Sequence, residues 1–177
     1  MSKQLKQLLI LILVLALMIG GFFAYMKYDE EKSKEAKKST AITVIDNKRD
    51  DIVKFSYDYE GTVYSFEKVD GTWYVEGDQS IGLNQNTVNL MLNKLSPLTA
   101  EQEIAGVTDM SQFGFDAPTR VIRYETAENA YTVEIGAFNP VSDVYYMRVD
   151  EQGTVYVITS SIYNVFDRDL ENMKAAQ

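Results

Sequence analysis

The stretch Val53-Lys54-Phe55-Ser56-Tyr57-Asp58-Tyr59-Glu60-Gly61-Thr62-Val63-Tyr64-Ser65-Phe66-Glu67-Lys68-Val69-Asp70-Gly71-Thr72-Trp73-Tyr74 decides the fold. Val53, Phe55, Tyr57 and Tyr59 alternate with Lys54, Ser56 and Asp58, the period of a half-buried strand. Glu60-Gly61 turns the chain into a second strand, Thr62 to Val69. Asp70-Gly71 is a hairpin signal, and Thr72 to Glu76 is a third strand. Trp73, the only Trp, is expected to plug the core of this meander.

Outward from the meander, Asn84 or Asn86 can cap a helix running to about Ser96. Val88, Met91, Leu92 and Leu95 give it an apolar stripe that can pack on the sheet, and Pro97 ends it. Leu98 to Ala105 reads as one further strand. After a loop from Asp109 to Pro118, strands are expected near Arg120–Thr126, Tyr131–Gly136, Val144–Asp150 and Thr154–Thr159. A helix from about Ser160 to Arg168 closes the domain, and Met173 to Gln177 are expected to fray.

One local pattern recurs: Gly61-Thr62-Val63-Tyr64, Gly71-Thr72-Trp73-Tyr74 and Gly153-Thr154-Val155-Tyr156. The frame from Tyr64 to Val75 parallels that from Tyr146 to Val157, and a helical segment follows each. Two similar sheet-plus-helix halves, 42–108 and 109–170, account for this; reuse of good turn chemistry accounts for it equally. The fold class is α+β: a single N-terminal transmembrane helix followed by a strand-rich antiparallel domain.

The transmembrane helix is read from Gln7 to Met26, an uncharged run between Lys6 and Lys27. About 20 residues at roughly 1.5 Å rise span a hydrocarbon core of about 30 Å. The run is longer than the apolar region of a signal peptide, and no Ala-x-Ala pattern follows it. With no Cys in the chain, lipoprotein attachment is excluded. Residues 1–27 are thus an anchor, 28–41 a charged stalk, 42–170 the folded domain and 171–177 a tail. A basic tip of Lys3 and Lys6 favours a cytoplasmic N-terminus and an extracytoplasmic C-terminal domain at the cell membrane. The lysines at 27, 32, 34, 37 and 38 pull the other way.

From Ser39 onward, 10 Lys and Arg stand against 22 Asp and Glu, a net charge of −12. That argues against nucleic acid or bare anionic lipid as a partner. The chain has no His and no Cys. Ser-His-Asp triads, thiol catalysis and His- or Cys-based zinc sites are therefore impossible within it. Asp46, Asp50 and Asp51, and Asp167 with Asp169, match no EF-hand loop and read as solvated turn acids. Ser160 and Ser161 read as helix caps. No catalytic residue, cofactor site or metal site is assigned, and the chain is read as non-enzymatic.

Binding is the remaining class. Tyrosines on the strands, among them Tyr145 and Tyr146, suit both a pleated packing surface and an aromatic binding face. In the loop Phe113-Gly114-Phe115-Asp116-Ala117-Pro118, Gly114 can take φ > 0 and Pro118 forces Ala117 to be extended. Phe113, Gly114, Phe115, Asp116, Pro118, Tyr145 and Tyr146 are the candidate binding residues. The loop can also be a rigid connector.

An ordered set of motifs carries a family likeness. It comprises Asp70-Gly71-Thr72-Trp73, Leu92-Asn93-Lys94-Leu95-Ser96-Pro97-Leu98, Ala100-Glu101-Gln102-Glu103-Ile104-Ala105, Phe113-Gly114-Phe115-Asp116-Ala117-Pro118, Glu134-Ile135-Gly136, Tyr145-Tyr146-Met147-Arg148 and Val155-Tyr156-Val157. Over roughly Asp46 to Asp169 the chain resembles the bacterial domain-of-unknown-function family numbered four thousand three hundred and forty. Phe115 stands where many relatives have Leu. The resemblance implies a single-anchor protein with an extracytoplasmic α+β domain, often encoded beside ABC-type transporter genes, and it carries no catalytic residues. The implied partners are the lipid bilayer, through residues 7–26, and a membrane protein such as a transporter permease. The implied role is that of an accessory subunit. A cell-wall- or glycan-binding surface module is the alternative.

Overall fold

A computed structural model describes residues 19–22 and 41–175. The chain divides into two units, residues 1–40 and 41–177. In the first, residues 19–22 are helical, and the rest of the expected anchor and stalk lies outside the described residues. No helix among the described residues is long and apolar enough to cross a membrane.

The second unit is a strand-rich antiparallel α+β domain. Its strands are β1 (Ile42–Ile45), β2 (Ile52–Tyr59), β3 (Thr62–Val69), β4 (Thr72–Val75), β5 (Leu98–Ala100), β6 (Gln102–Ile104), β7 (Arg120–Thr126), β8 (Ala130–Asn139), β9 (Val144–Val149) and β10 (Val155–Thr159). Its helices are α1 (Gln85–Leu95) and α2 (Ser160–Phe166). One eight-stranded sheet runs β4-β3-β2-β7-β8-β9-β10-β6, and β1 and β5 form a separate pair. Every neighbouring pair is antiparallel.

The meander forms as its alternation demands. Phe55 faces Phe66 and Tyr57 faces Tyr64 across β2 and β3. The two-residue turns place Glu60 and Gly61 at φ 48° and 79°, and Asp70 and Gly71 at φ 49° and 83°, the double positive φ of type I′ turns. In the third repeat of the pattern, Asp150 and Glu151 hold the left-handed positions, at φ 51° and 54°. There Gly153 is not a turn glycine of the same kind. The likeness between the frames 64–75 and 146–157 is therefore not carried by a shared turn.

The sheet buries one face under the helices. Phe55, Tyr57, Phe66, Trp73, Ile122, Tyr124, Val133, Ile135 and Met147 meet Val88, Met91, Leu92, Leu95, Ile162 and Phe166 there. Phe55 stacks on Phe66 with ring centroids 4.7 Å apart and meets Trp73 edge-on at 5.1 Å. The Asn84 side chain caps α1 by accepting from the backbone N–H groups of Asn86 and Thr87. Gln85 then donates to the Trp73 carbonyl at 2.9 Å and accepts from the Trp73 N–H at 3.0 Å. The side-chain amide thereby satisfies the outer backbone groups of edge strand β4, which would otherwise invite another strand.

Three expectations need correction. The segment Leu98–Ala105 is not one strand: it breaks at Glu101, so that β5 pairs with β1 and β6 with β10. The chain end is not frayed as far as Ala175. Met173 is fully buried, its carbonyl accepts from Asn84 N–H at 2.8 Å, and Ala175 N–H bonds the Gly82 carbonyl at 2.9 Å. The second helix ends at Phe166, and its N-cap is Thr159, without a side-chain capping bond; Ser160 and Ser161 already lie inside it.

Candidate interaction site

Strand alternation sends the two tyrosines of β9 to opposite faces. Tyr146 lies on the outward face, beside Arg148. Tyr145 lies on the helix-covered face, in line with Met147. The seven candidate residues therefore divide between two places.

On the outward face, residues 106–119 form a strap across β8 and β9. Asp109 Oδ1 accepts from Ser111 N–H at 3.0 Å, a 3-10 turn runs from Ser111 to Phe113, and Gly114 ends it at φ 81°. The Phe113 ring meets Tyr146 edge-on at 4.9 Å. Phe115 is buried, and the Arg148 guanidinium sits 5.0 Å from its ring centre. Arg148 is also ion-paired with Glu134, and its side chain is only 16% exposed. Hydrogen bonding to Glu134 raises the Arg148 pKa, which secures the charge. Asp116 is exposed and Pro118 half-buried; neither makes a ring contact.

Two glycines lock the strap down. A Cβ on Gly136 would lie 2.2 Å from the Phe113 carbonyl oxygen, and one on Gly114 would lie 2.6 Å from Ala137 N. The register between β8 and β9 shifts between Ile135 and Phe138, a bulge of the kind that re-aims a strand. Thr119 closes the strap by donating its hydroxyl to the Ile135 and Gly136 carbonyls at 3.0 and 2.9 Å. Phe113, Gly114 and Phe115 are thus packed residues of a covering segment.

Tyr145 belongs to a different arrangement. Its ring stacks on Tyr163 of α2 at 4.6 Å and 11°, and touches Phe138 at 4.9 Å. Beyond Tyr163, the Arg120 guanidinium lies 5.1 Å from the Tyr163 ring centre and 5.1 Å from that of Tyr59. The result is a ladder: Phe138, Tyr145, Tyr163, Arg120, Tyr59. Arg120 is only 4% exposed. It donates to the Asp58 carbonyl at 2.6 Å and to Asp167 Oδ1 at 2.8 Å, so its charge is paired as burial requires. Burial, and then Asp167 among the nearby acids, pushes the Tyr145 phenol upward; burial followed by Glu60 does the same for Tyr59.

Sequence reasoning missed Arg120, Tyr163 and Phe138. A signal existed for two of them. Arg120 shares the two-residue period of Ile122 and Tyr124, which places it on the buried face. Tyr163 lies one turn before Phe166 on the apolar side of α2. Phe138 had no such signal, because the bulge at Gly136 breaks the alternation before it.

The acidic clusters do not assemble. Among the described residues no three His, Cys, Asp or Glu side chains are placed to hold a metal ion. Asp46, Asp50 and Asp51 border a cleft of about 450 Å³ with Glu128 and Tyr131, at the end of the sheet opposite the ladder.

By its fold the second unit is a small strand-rich antiparallel α+β domain. The chain belongs to the family described as "Domain of unknown function (DUF4340)", which matches residues 73–176. The match begins at Trp73, later than the motif set suggests, and it includes the strap, the ladder from Arg120 onward and the anchored chain end. No curated protein and no solved structure matches the chain.

Proposed function

We propose that the protein is a membrane-anchored, non-catalytic accessory domain that binds a membrane protein, with an ABC-type transporter permease as the partner class. In this reading residues 7–26 hold the chain in the bilayer, the N-terminus is cytoplasmic and the domain is extracytoplasmic. The observation that carries it is the uncharged run of 20 residues between Lys6 and Lys27 ahead of a folded domain. Family membership supports it through the implied association with transporter genes. The same proposal treats 42–108 and 109–170 as related sheet-plus-helix halves; in its support, each segment supplies a meander and a helix, and α1 and α2 contact one another over the shared face.

The test is extraction of the full-length protein in mild detergent followed by affinity capture. A membrane protein recovered at stoichiometric level supports the proposal. Recovery of monomer alone overturns it. A second reading, a wall- or glycan-binding module, draws on the half-exposed rings of the ladder, since aromatic faces stack on sugars. Retention of the full-length protein on isolated cell wall would favour it, and absence of retention would remove it.

A further inference from the structure

We infer that the ladder end formed by Phe138, Val141, Asp143 and Tyr145 is a docking surface for an arginine-bearing segment of a partner protein. The inference rests on the accessory-domain reading and names the surface that would carry it. Three observations lead to it.

The first is apolar exposure. Phe138 is 43% exposed and Val141 is 93% exposed, both at the hairpin joining β8 to β9. The hairpin has a fixed shape, because Asn139 Oδ1 accepts from Val141 N–H at 3.0 Å and Asn139 Nδ2 donates to the Tyr146 hydroxyl at 3.2 Å. A rigid apolar tip loses little conformational entropy when it is covered.

The second is the pattern of the ladder itself. Within the fold, a guanidinium already sits between two rings, with Arg120 at 5.1 Å from both Tyr59 and Tyr163. The row of rings then continues through Tyr145 to Phe138, tilted by 42° at 4.9 Å, and the outer side of Phe138 is exposed. A further guanidinium on that side repeats the internal arrangement, and Arg is the cation suited to ring stacking.

The third is charge. Arg120 and Asp167 cancel as an ion pair. Glu60 and Asp169 act on Tyr59, at the other end of the ladder, whereas Asp143 acts on Tyr145 and is the carboxylate at the docking end. Glu60 and Asp143 are exposed. Asp143, at φ 54°, stands in the hairpin beside the exposed ring, so a guanidinium on Phe138 would find a carboxylate within the same turn. Arg and aromatic residues are the side chains that most often anchor interfaces.

The test uses the full-length chain in zwitterionic nanodiscs and a short fluorescent peptide of alternating Gly and Arg, read by anisotropy. A peptide with Glu in place of Arg is the control. Binding of the Arg peptide alone is expected. Phe138→Ala, at an exposed site, should weaken it about fivefold. Asp143→Asn, which keeps a residue tolerant of positive φ, should weaken it by a similar factor. The double change Asp50→Asn and Glu128→Gln at the other end of the sheet should leave it unchanged. Equal weakening by that distal change, or no effect of Phe138→Ala, would reduce the contact to general attraction and overturn the inference. Preferential binding of a neutral N-acetylglucosamine oligosaccharide would overturn it as well. The capture experiment separates the two levels: a partner captured equally by wild type and by Phe138→Ala removes this surface but keeps the accessory role, whereas no partner in either removes the role.

Discussion

On the outward face of the sheet, β8 and β9 lie beneath the strap, whereas β3, β2 and β7 stand open. Both regions carry a cross-strand ion pair. Under the strap it is Glu134 with Arg148, with side chains 11% and 16% exposed. In the open region Asp58 pairs with Arg123 at 3.1 Å, with side chains 34% and 49% exposed. Against the first lies the buried Phe115; Arg123 of the second shares an open cleft with Lys54, Ser56, Ser65, Glu76 and Glu125, and the exposed Val63 stands opposite Asp58. The difference shows what one fourteen-residue covering segment, 106–119, does to a sheet. It converts a polar surface into a second small core, and it turns a solvated ion pair into one that must stay paired.

The comparison breaks first at the glycines. Gly136→Ala brings a Cβ within 2.2 Å of the Phe113 carbonyl, an overlap with backbone that no rotamer relieves. We expect a loss of about 3 kcal/mol in urea unfolding of the full-length chain. The equivalent change on the open side, Ser56→Ala, meets no covering segment and should shift stability by no more than about 0.5 kcal/mol. An unchanged urea midpoint for Gly136→Ala would mean that the strap does not seat on β8.

Next come the ion pairs. Glu134→Gln leaves the Arg148 charge under the strap with a weaker partner, a change expected to cost about 2 kcal/mol. Asp58→Asn in the open region should cost about 0.5 kcal/mol and fade with added salt. A double-mutant cycle over each pair measures the contrast directly. Equal coupling energies would show that the two regions are equally solvated.

The ease with which these features could be read from the sequence follows the same division. Strands β3 and β7 have the expected ends, Thr62–Val69 and Arg120–Thr126, because each is a local alternation bounded by turn residues. Asn84 announces α1 by local capping chemistry. The strap is a tertiary event. Gly114, Phe115 and Gly136 matter because they meet across a bulge, and nothing within either segment alone encodes that meeting. Likewise Glu101 splits a run of strand-like residues between two sheets because β1 competes for Leu98–Ala100. The opposite placement of Tyr145 and Tyr146 follows from simple alternation, yet pairing them as one surface overlooked it. Met173 is buried because Leu83 and Asn84 offer it a slot, a contact between distant parts of the chain.

A smaller effect sharpens the packing of the strap. Phe115→Leu removes part of the ring on which Arg148 rests. We expect a loss of about 1 kcal/mol, readable by thermal unfolding. A gain in stability would show that the cation–ring contact at 5.0 Å contributes nothing beyond filling space.

The smallest effect concerns pH, and again the two regions can be set side by side. Asp109 begins the strap, and its carboxylate accepts from the hydroxyl and the N–H of Ser111. Asp78, after β4, does the same with Ser80. In both, the hydroxyl bond first and the backbone bond second hold the carboxyl below the usual aspartate range. A depressed folded-state pKa means that the folded state binds the proton less readily than the unfolded one. Each group therefore adds stability above the unfolded value, near pH 4, and loses it as pH falls through the folded value. Both carboxylates are exposed, so the contribution is slight. NMR titration should show both carboxyls protonating at lower pH than a free aspartate. In Asp109→Asn, hydrogen exchange at Ser111 and Phe113 should lose its dependence on pH across that window, while the segment around Ser80 keeps its own. If acid loosens both segments equally in that variant, the Asp109 turn is not what holds the near end of the strap.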